Sequence, residues 1–303
     1  MIYDIIGDIH GQVDKLLGLL DKLGYRHDGS SHIAPPNHKA IFVGDFIDRG
    51  GAQLETLGIV FDMIDNHQAL GMMGNHEYNA IGYATTDDQG KRIYNPTPRQ
   101  HETHQVFLEA VGEDSALHQH WLNRFFELPL WLELDGCLII HACPDAKAMT
   151  NLMPYLHDNR LSPNDFKDLP KITHQNILKI LTGVQAHLPD GVFIKDGLGH
   201  LRQDVRVKWW KDDLNQPVVK LSAASNCDLS TLPNDLVCPI DFTLGTDKPV
   251  IIGHYWLTGD PAPLSDQVIC TDYSAGKDGY LTTYQFDTDN PRLSAENFVQ
   301  FYG

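Results

Sequence analysis

Apolar residues follow two rhythms in the first quarter of the chain. Ile2 to Ile6 alternates in the manner of a strand, and Gln12 to Leu23 places Val13, Leu16, Leu17, Leu20 and Leu23 at helical spacing, with Gly24 as a stop. Gly29 to His38, with Pro35-Pro36, reads as a loop; Ala40 to Val43 is a second buried strand. A helix with Leu54, Leu57, Phe61 and Ile64 on one face follows, then a third strand over Ala69 to Met73. This β-α-β-α-β order predicts an α/β fold with a parallel sheet, whose carboxyl-terminal strand ends are where ligand sites form.

Further on, Thr85 to Gln100 is polar and reads as a surface loop, and Val106 to Leu128 as mostly helical. Trp131 to Leu134 and Cys137 to Ile140 form a hairpin across Asp135-Gly136. The stretch from Pro144 to Thr246 mixes a helix over Ile172 to Leu181 with loops rich in Pro, Asn and Asp; strands are expected at Pro249 to Ile252, Gln267 to Thr271 and Tyr280 to Phe286. No linker or repeat interrupts the pattern, so residues 1–303 are read as one domain, with 83–100 and 144–246 as walls inserted around a substrate.

Polar residues break this pattern in a repeated way. In Gly7-Asp8-Ile9-His10-Gly11, Gly44-Asp45-Phe46-Ile47-Asp48-Arg49-Gly50, Gly74-Asn75-His76-Glu77, His141-Ala142-Cys143 and Gly253-His254, an apolar run ends and Asp, His or Asn stands beside a tight turn. Asp8 and His10, two apart on an extended turn, can face the same side. Asp45 can bridge two ions, and Asn75, His141 and His254 add a neutral oxygen and two imidazoles. Oxygen and nitrogen donors without sulfur suit hard or borderline divalent metals. The expectation is two ions about 3.5–4 Å apart, with a hydroxide bridging them for in-line attack on a phosphate ester. Arg49 can clamp phosphoryl oxygens, His76 can protonate the leaving oxygen, and Asp48 can hold the other ring nitrogen of His76. In isolation each Asp also reads as a turn former, and Asp48 and Arg49 as a surface ion pair.

Composition narrows the classes. A formal charge of −17 argues against a long nucleic-acid footprint but leaves a small anionic substrate open, because bound ions would reverse the sign locally. Cys137, Cys143, Cys227, Cys238 and Cys270 contain no Cys-x-x-Cys pair, so neither a thiolate zinc site nor a disulfide framework is expected. The N-terminus lacks signal-peptide character and no apolar run suffices for a bilayer, so the expected location is the cytoplasm, without membrane attachment. Of sixteen histidines, His27, His32, His38, His101, His104, His118, His120, His157, His174, His187 and His200 read as ordinary surface or core residues. Trp209-Trp210 reads as core rather than a base-stacking platform, and Cys143 as structural.

The three N-terminal segments resemble the signatures of the calcineurin-like metallophosphoesterases, closest to the branch with the phosphoprotein phosphatases and the bacterial symmetrical diadenosine tetraphosphatases. The match is near complete from Met1 to about Tyr78 and returns around His141 and His254. The resemblance implies a four-layer α/β/β/α fold, two facing sheets flanked by helices. It implies Asp8, His10 and Asp45 at one metal, and Asp45, Asn75, His141 and His254 at the other, with Asn75 also at the substrate. It further implies His76 as acid, Asp48 as its partner and Arg49 as phosphate clamp. Two departures stand out: Cys143 follows His141-Ala142 where relatives carry Gly, and the second phosphate-binding arginine has no certain counterpart. Arg206 is preferred to Arg202 for that role, and reads equally as a solvated charge.

The reading is a dinuclear-metal phosphatase for phosphomonoesters, phosphoprotein Ser/Thr or Tyr phosphate among them. The alternative is a symmetrical diadenosine tetraphosphate or other nucleotide phosphohydrolase. A scaffold protein is disfavoured because no ligand is missing. The expected cofactors are two divalent ions, manganese first, with Fe, Zn, Co or Ni compatible; the partner is a phosphorylated small molecule, nucleotide or phosphoprotein.

Overall fold

A computed structural model describes residues 1–196, 199–223 and 227–303; residues 197–198 and 224–226, within the expected wall 144–246, lie outside the described residues. The elements that position the site are β1 (Ile2–Ile6), α1 (Val13–Lys22), β2 (His38–Phe42), α2 (Gln53–Asp65), β3 (Ala69–Gly71), α3 (Asn75–Ala84), α4 (Pro98–Val111), α5 (Ala116–Phe126), β4 (Trp131–Leu134), β5 (Cys137–Ile140), α6 (Ala146–Leu152), α7 (Lys171–Thr182), β6 (Gln185–His187), β7 (Asp204–Arg206), β8 (Val250–Ile252), β9 (Val268–Cys270), β10 (Asp272–Tyr273), β11 (Tyr280–Asp287) and β12 (Phe298–Phe301).

Two sheets build the centre. The first has the order β10-β11-β1-β2-β3, with β12 on β11; the second has the order β9-β8-β5-β4. β1 and β2 pair in parallel from Ile2↔His38 to Ile6↔Phe42, and β2 and β3 from Ala40↔Ala69. The three opening strands are thus parallel, as their pattern predicts, and β11 runs antiparallel to β1, so the sheet as a whole is mixed. In the second sheet β5, β8 and β9 are parallel, and β4 returns antiparallel across the Asp135-Gly136 hairpin. Apolar residues of both sheets, among them Ile5, Phe42, Ile139 and Ile251, are fully buried in one core. Helices α1 and α2 cover the first sheet, while Ala142 and Cys143, just past β5, donate to the Ile180 carbonyl of α7 on the other side. The architecture is the four-layer α/β/β/α sandwich.

The sheets meet where the chain crosses from one to the other. Thr271 separates β9 in the second sheet from β10 in the first. A Cβ on Gly7 would lie 2.1 Å from the Thr271 carbonyl oxygen, so only glycine lets β1 end against that crossing.

Two local readings are corrected. Leu17 is 39% exposed, and Leu19 joins Leu16 and Leu20 in facing the core. The loop expected to run to Gln100 ends at Thr97, because Thr97 and Gln100 form a capping box with Pro98 in the first turn of α4. Helix α3 starts within the third motif, where Glu77 accepts from the Gly74 amide at 3.0 Å. No helix is long and apolar enough to cross a membrane among the described residues.

Candidate metal centre

Every motif residue is carried to one place by a parallel strand. Asp8 follows β1, Asp45 follows β2, Asn75 follows β3, His141 follows β5 and His254 follows β8, all at carboxyl-terminal ends. Asp45 is the hub. Its Oδ2 lies 3.4 Å from His141 Nε2, 3.7 Å from His10 Nε2 and 3.8 Å from His76 Nε2. Two groups share it: the ligand atoms of His10, Asp45 and His76 lie within 4.8 Å of one another, as do those of Asp45, His141 and His254. Asn75 Oδ1 is 3.2 Å from His141 Nε2, and Asp8 accepts from the His254 amide at 3.1 Å.

The backbone holds this arrangement under strain. His10, Asp45, Asp48, Arg49 and His254 all have φ between 53° and 72°, a region non-glycine residues avoid unless their surroundings compel it. Glu77 supplies part of the compulsion: its carboxylate accepts from the amides of Asp45 (2.9 Å), Phe46 (2.7 Å) and Gly74 (3.0 Å). His10 Nδ1 donates to the Ile47 carbonyl and His141 Nδ1 to the Val43 carbonyl, each at 2.8 Å. Those bonds orient both rings; at His10 the bond leaves the Nε2 lone pair turned to the centre, whereas His141 Nε2 faces the Asn75 and Asp45 oxygens.

The electrostatics fit a cation. Burial pushes Asp8 well above the usual carboxylate range, and the neighbouring Asp272 carboxylate adds to it. Burial, then the charge of His76, pulls the His10 imidazole down to about 3, and burial and Arg206 take His254 well below its usual value. Both rings are therefore neutral, and His10 Nε2, His254 Nδ1 and His254 Nε2 have no hydrogen-bond partner among the described residues. At His141 burial acts downward, but Asp45 outweighs it and lifts the ring to about 10. Buried carboxylates beside neutral imidazoles with unused lone pairs are the donor chemistry of a hard or borderline divalent ion. Cys143 is buried and its thiol is pushed well up, so no thiolate joins them.

A second layer controls His76. Asp48 Oδ2 is 2.5 Å from His76 Nδ1, and Asp48 Oδ1 is 2.9 Å from His104 Nδ1. Burial alone would raise Asp48, but the bonds from His104 and His76 hold it at about 2. His76 is raised: burial opposes its charge, and Asp45 and the Asp48 bond overcome that. His104, read as an ordinary surface or core residue, is a buried histidine whose ring is hydrogen-bonded to Asp48.

Arg49 and Arg206 differ in placement. The Arg49 guanidinium stacks 3.7 Å from the Trp256 ring centroid, within the field of Asp45, Asp272, Asp48 and Asp8. Arg206, on β7, is half-buried with Cζ 6.0 Å from the Tyr255 ring centroid, and its charge acts on His254. Arg202 is exposed. Trp209 and Trp210 are buried, and Trp209 Nε1 donates to the Ala142 carbonyl.

Sequence reasoning missed Asp272. It follows β9 as the other site residues follow their strands, is buried, and accepts from the amides of Trp256 (2.7 Å) and Ser274 (2.9 Å). The signal was present: Val268-Ile269-Cys270-Thr271-Asp272 has the same apolar-run-then-Asp form. His104 gave no such signal, since it lies inside a helix.

Over 146 residues the chain is 43% identical to the asymmetrical bis(5'-nucleosyl)-tetraphosphatase PrpE of Halalkalibacterium halodurans, covering 47% of this chain and 57% of that protein. The same-named protein of Geobacillus sp. is 41% identical over 141 residues, 46% of this chain and 56% of that one. The chain thus spans about half the length of the curated relatives it matches. Among solved structures it is similar in fold to a cold-active protein tyrosine phosphatase (TM-score 0.52, 14% identity, 97% of this chain and 78% of that one). It is likewise similar to the hypothetical protein PH1004 of Pyrococcus horikoshii (TM-score 0.51, 12% identity, 100% and 88%). The family model for calcineurin-like phosphoesterases matches residues 1–254, the span holding all six expected ligands, and the chain belongs to that family.

Proposed function

We propose that this chain hydrolyses the phosphate chain of a nucleotide, a bis(5'-nucleosyl) tetraphosphate or a related polyphosphate, at a centre of two divalent ions. The observation that carries the chemistry is the pair of buried donor groups sharing Asp45. Asp8, His10 and Asp45 would hold one ion, and Asp45, Asn75, His141 and His254 the other. Manganese is the first choice, with Fe, Zn, Co or Ni compatible with the same donors. Bound there, the ions supply Lewis acidity and an activated water.

The chain's own residues do the rest. Arg49 and Asn75 orient the phosphoryl group, with Arg206 as the second arginine. His76, kept protonated by Asp48 and Asp45, gives its proton to the leaving oxygen. Asp48 stays ionised and fixes the ring, and His104 fixes Asp48. The polyphosphate substrate is supported by relatives named as tetraphosphatases. Their name specifies asymmetrical cleavage, whereas the sequence resemblance pointed to the symmetrical branch. Hydrolysis of phosphomonoesters, including phosphoprotein, uses the same residues and is the competing reading. Segments 83–100 and 144–246 are the walls we assign to this choice.

The test is a substrate panel with defined metal content. Protein loaded with Mn²⁺ is expected to turn over diadenosine tetraphosphate faster than a phosphopeptide or an aryl phosphate. ATP with AMP as products marks asymmetrical cleavage, and ADP alone marks symmetrical. No hydrolysis of any phosphate ester by folded protein, with any divalent metal, overturns the proposal.

A further inference from the structure

Beside the centre, a short loop carries Lys277, followed by Asp278, and brings its ammonium to the same indole as Arg49. Residues Ser274 to Gly279 follow Asp272 and lie on the site. A Cβ on Gly276 would come within 2.7 Å of His10 Cδ2 and 2.8 Å of Arg49 Cδ, so the loop backbone rests against both residues and no side chain fits between them. Its shape is held from below. Lys15 Nζ donates to the carbonyls of Ala275 (3.0 Å), Lys277 (3.3 Å) and Gly279 (2.7 Å), and Asp272 accepts from the Ser274 amide. Three bonds from one ammonium to one loop make it a built feature.

That loop presents Lys277. Its Nζ lies 4.1 Å from the Trp256 ring centroid, and Arg49 Cζ lies 3.7 Å from the same centroid. One indole therefore carries two cations, one of which belongs to the candidate centre. Trp256 is itself held in place, with φ of 53° and its amide donated to Asp272. Arg99, in the first turn of α4, brings a third positive charge close enough to act on Lys277. Burial, then Arg49, then Arg99 lower the Lys277 pKa. None of these three cations forms an ion pair with a carboxylate among the described residues, although the protein as a whole carries a formal charge of −17. Arg49 is half-buried among the site carboxylates while Lys277 and Arg99 are exposed, so two cations on one indole, with a third nearby, face solvent at the edge of the centre, an arrangement suited to receiving an anion.

We propose that Lys277, set by the Ser274 to Gly279 loop, forms a second phosphate subsite next to Arg49, and that this subsite selects a substrate with a chain of phosphates over one with a single phosphate. The inference rests on the proposed function for the location of the hydrolysed phosphate, and adds the residue that reads the rest of the chain. Nucleoside polyphosphates and inorganic polyphosphate share the chemistry, so the test carries both.

Binding of inorganic tripolyphosphate and of orthophosphate is measured by calorimetry on the full metal-loaded chain, wild type and Lys277→Ala. The expected result is that Lys277→Ala weakens tripolyphosphate about tenfold, the loss of one charge-assisted contact, while orthophosphate changes less than about twofold. Lys277→Arg restores most of the loss. Diadenosine tetraphosphate follows tripolyphosphate. Equal weakening of tripolyphosphate and orthophosphate, or none, overturns the subsite; so does a loss confined to the dinucleotide, which would place Lys277 at the nucleoside. Because binding is read directly, a chain that binds tripolyphosphate through Lys277 yet hydrolyses no ester refutes the proposed function alone. A chain that hydrolyses esters but binds tripolyphosphate no more tightly than orthophosphate refutes the subsite alone.

Discussion

The two sheets contribute unequal halves to one centre. The first sheet delivers Asp8, His10, Asp45 and Asn75 within 68 residues, with Glu77 tying their turns together through three backbone amides. The second delivers His141 from one strand and His254 and Asp272 from two strands more than a hundred residues later, with Asp8 accepting the His254 amide across the junction. The first half is a preorganised cradle of carboxylates; the second brings imidazoles to it. Asp45 belongs to the first half by sequence and to both by geometry. A mutation at the hub should therefore break the distinction, while mutations in either layer behind it should reveal it.

The largest effect is expected at Asp45. Asp45→Asn removes the charge that both donor groups share, so metal content falls at both positions and turnover drops by more than about 10³-fold. Metal analysis with single-turnover kinetics checks this. Retention of one full equivalent of metal would show that the halves hold their ions independently.

Asp48→Asn comes next, and acts without touching either donor group's carboxylate. A loss of about 10²-fold in kcat is expected, with metal content kept. As the proposed acid, His76 is required protonated, so activity is expected to fall as pH rises through its raised pKa. Removing the Asp48 charge and bond takes away two of the causes that raise it, and the alkaline limb of the pH profile moves to lower pH. The sign at low pH is separate. Asp48 is held at about 2, below its ordinary 3.8, so the stability it contributes is present above 3.8 and is lost as pH falls toward 2. In the wild type alone, acid unfolding should include this contribution.

Much of the first half was legible in the sequence because each candidate ligand sits in a glycine-framed turn directly after an apolar strand. Asp272 obeys the same rule with no glycine beside it, and so passed unnoticed. The α3 start was hidden because Asn75, His76 and Glu77 read as a motif rather than as a first turn, although Glu77 at the third position is a capping signal. Residues 98–100 read as loop because the start of that helix is polar, and the Thr97-Pro98-Arg99-Gln100 cap is the better guide. Within 144–246 short elements such as β6 and β7 pair only with each other, and no two-residue or three-residue strand has a readable period. The shared-face rule placed Leu17 in the core where Leu19 belongs, a shift of the stripe by part of a turn.

Asp272→Asn probes the second half. Its carboxylate repels Asp8 and holds the amides of Trp256 and Ser274, so the substitution lightens the negative field while loosening two turns. Metal affinity is expected to fall about 10-fold to 100-fold, the range for residues that orient ligands. Since His254 lies two residues before Trp256, the loss should fall on the ion held by His141 and His254. Equal loss at both ions would show that Asp272 acts through charge on the whole centre rather than through its turn.

The smallest effect is expected at His104, and it bears most directly on how the first half is tuned. His104→Phe keeps the ring packing with Tyr83 and Phe107 but removes the donor to Asp48. Asp48 then loses the larger of its two stabilising bonds and rises from about 2 toward its ordinary value, still ionised at neutral pH. The charge beside His76 is thus kept, and what is lost is the fixed direction of the carboxylate. About a tenfold fall in kcat is expected, with KM, metal content and the alkaline limb little changed. A fall as large as that of Asp48→Asn would mean that His104 sets the charge of Asp48 and not just its orientation. No change would return His104 to the ordinary core histidine that its place in a helix suggested, leaving Asp48 and His76 to orient each other.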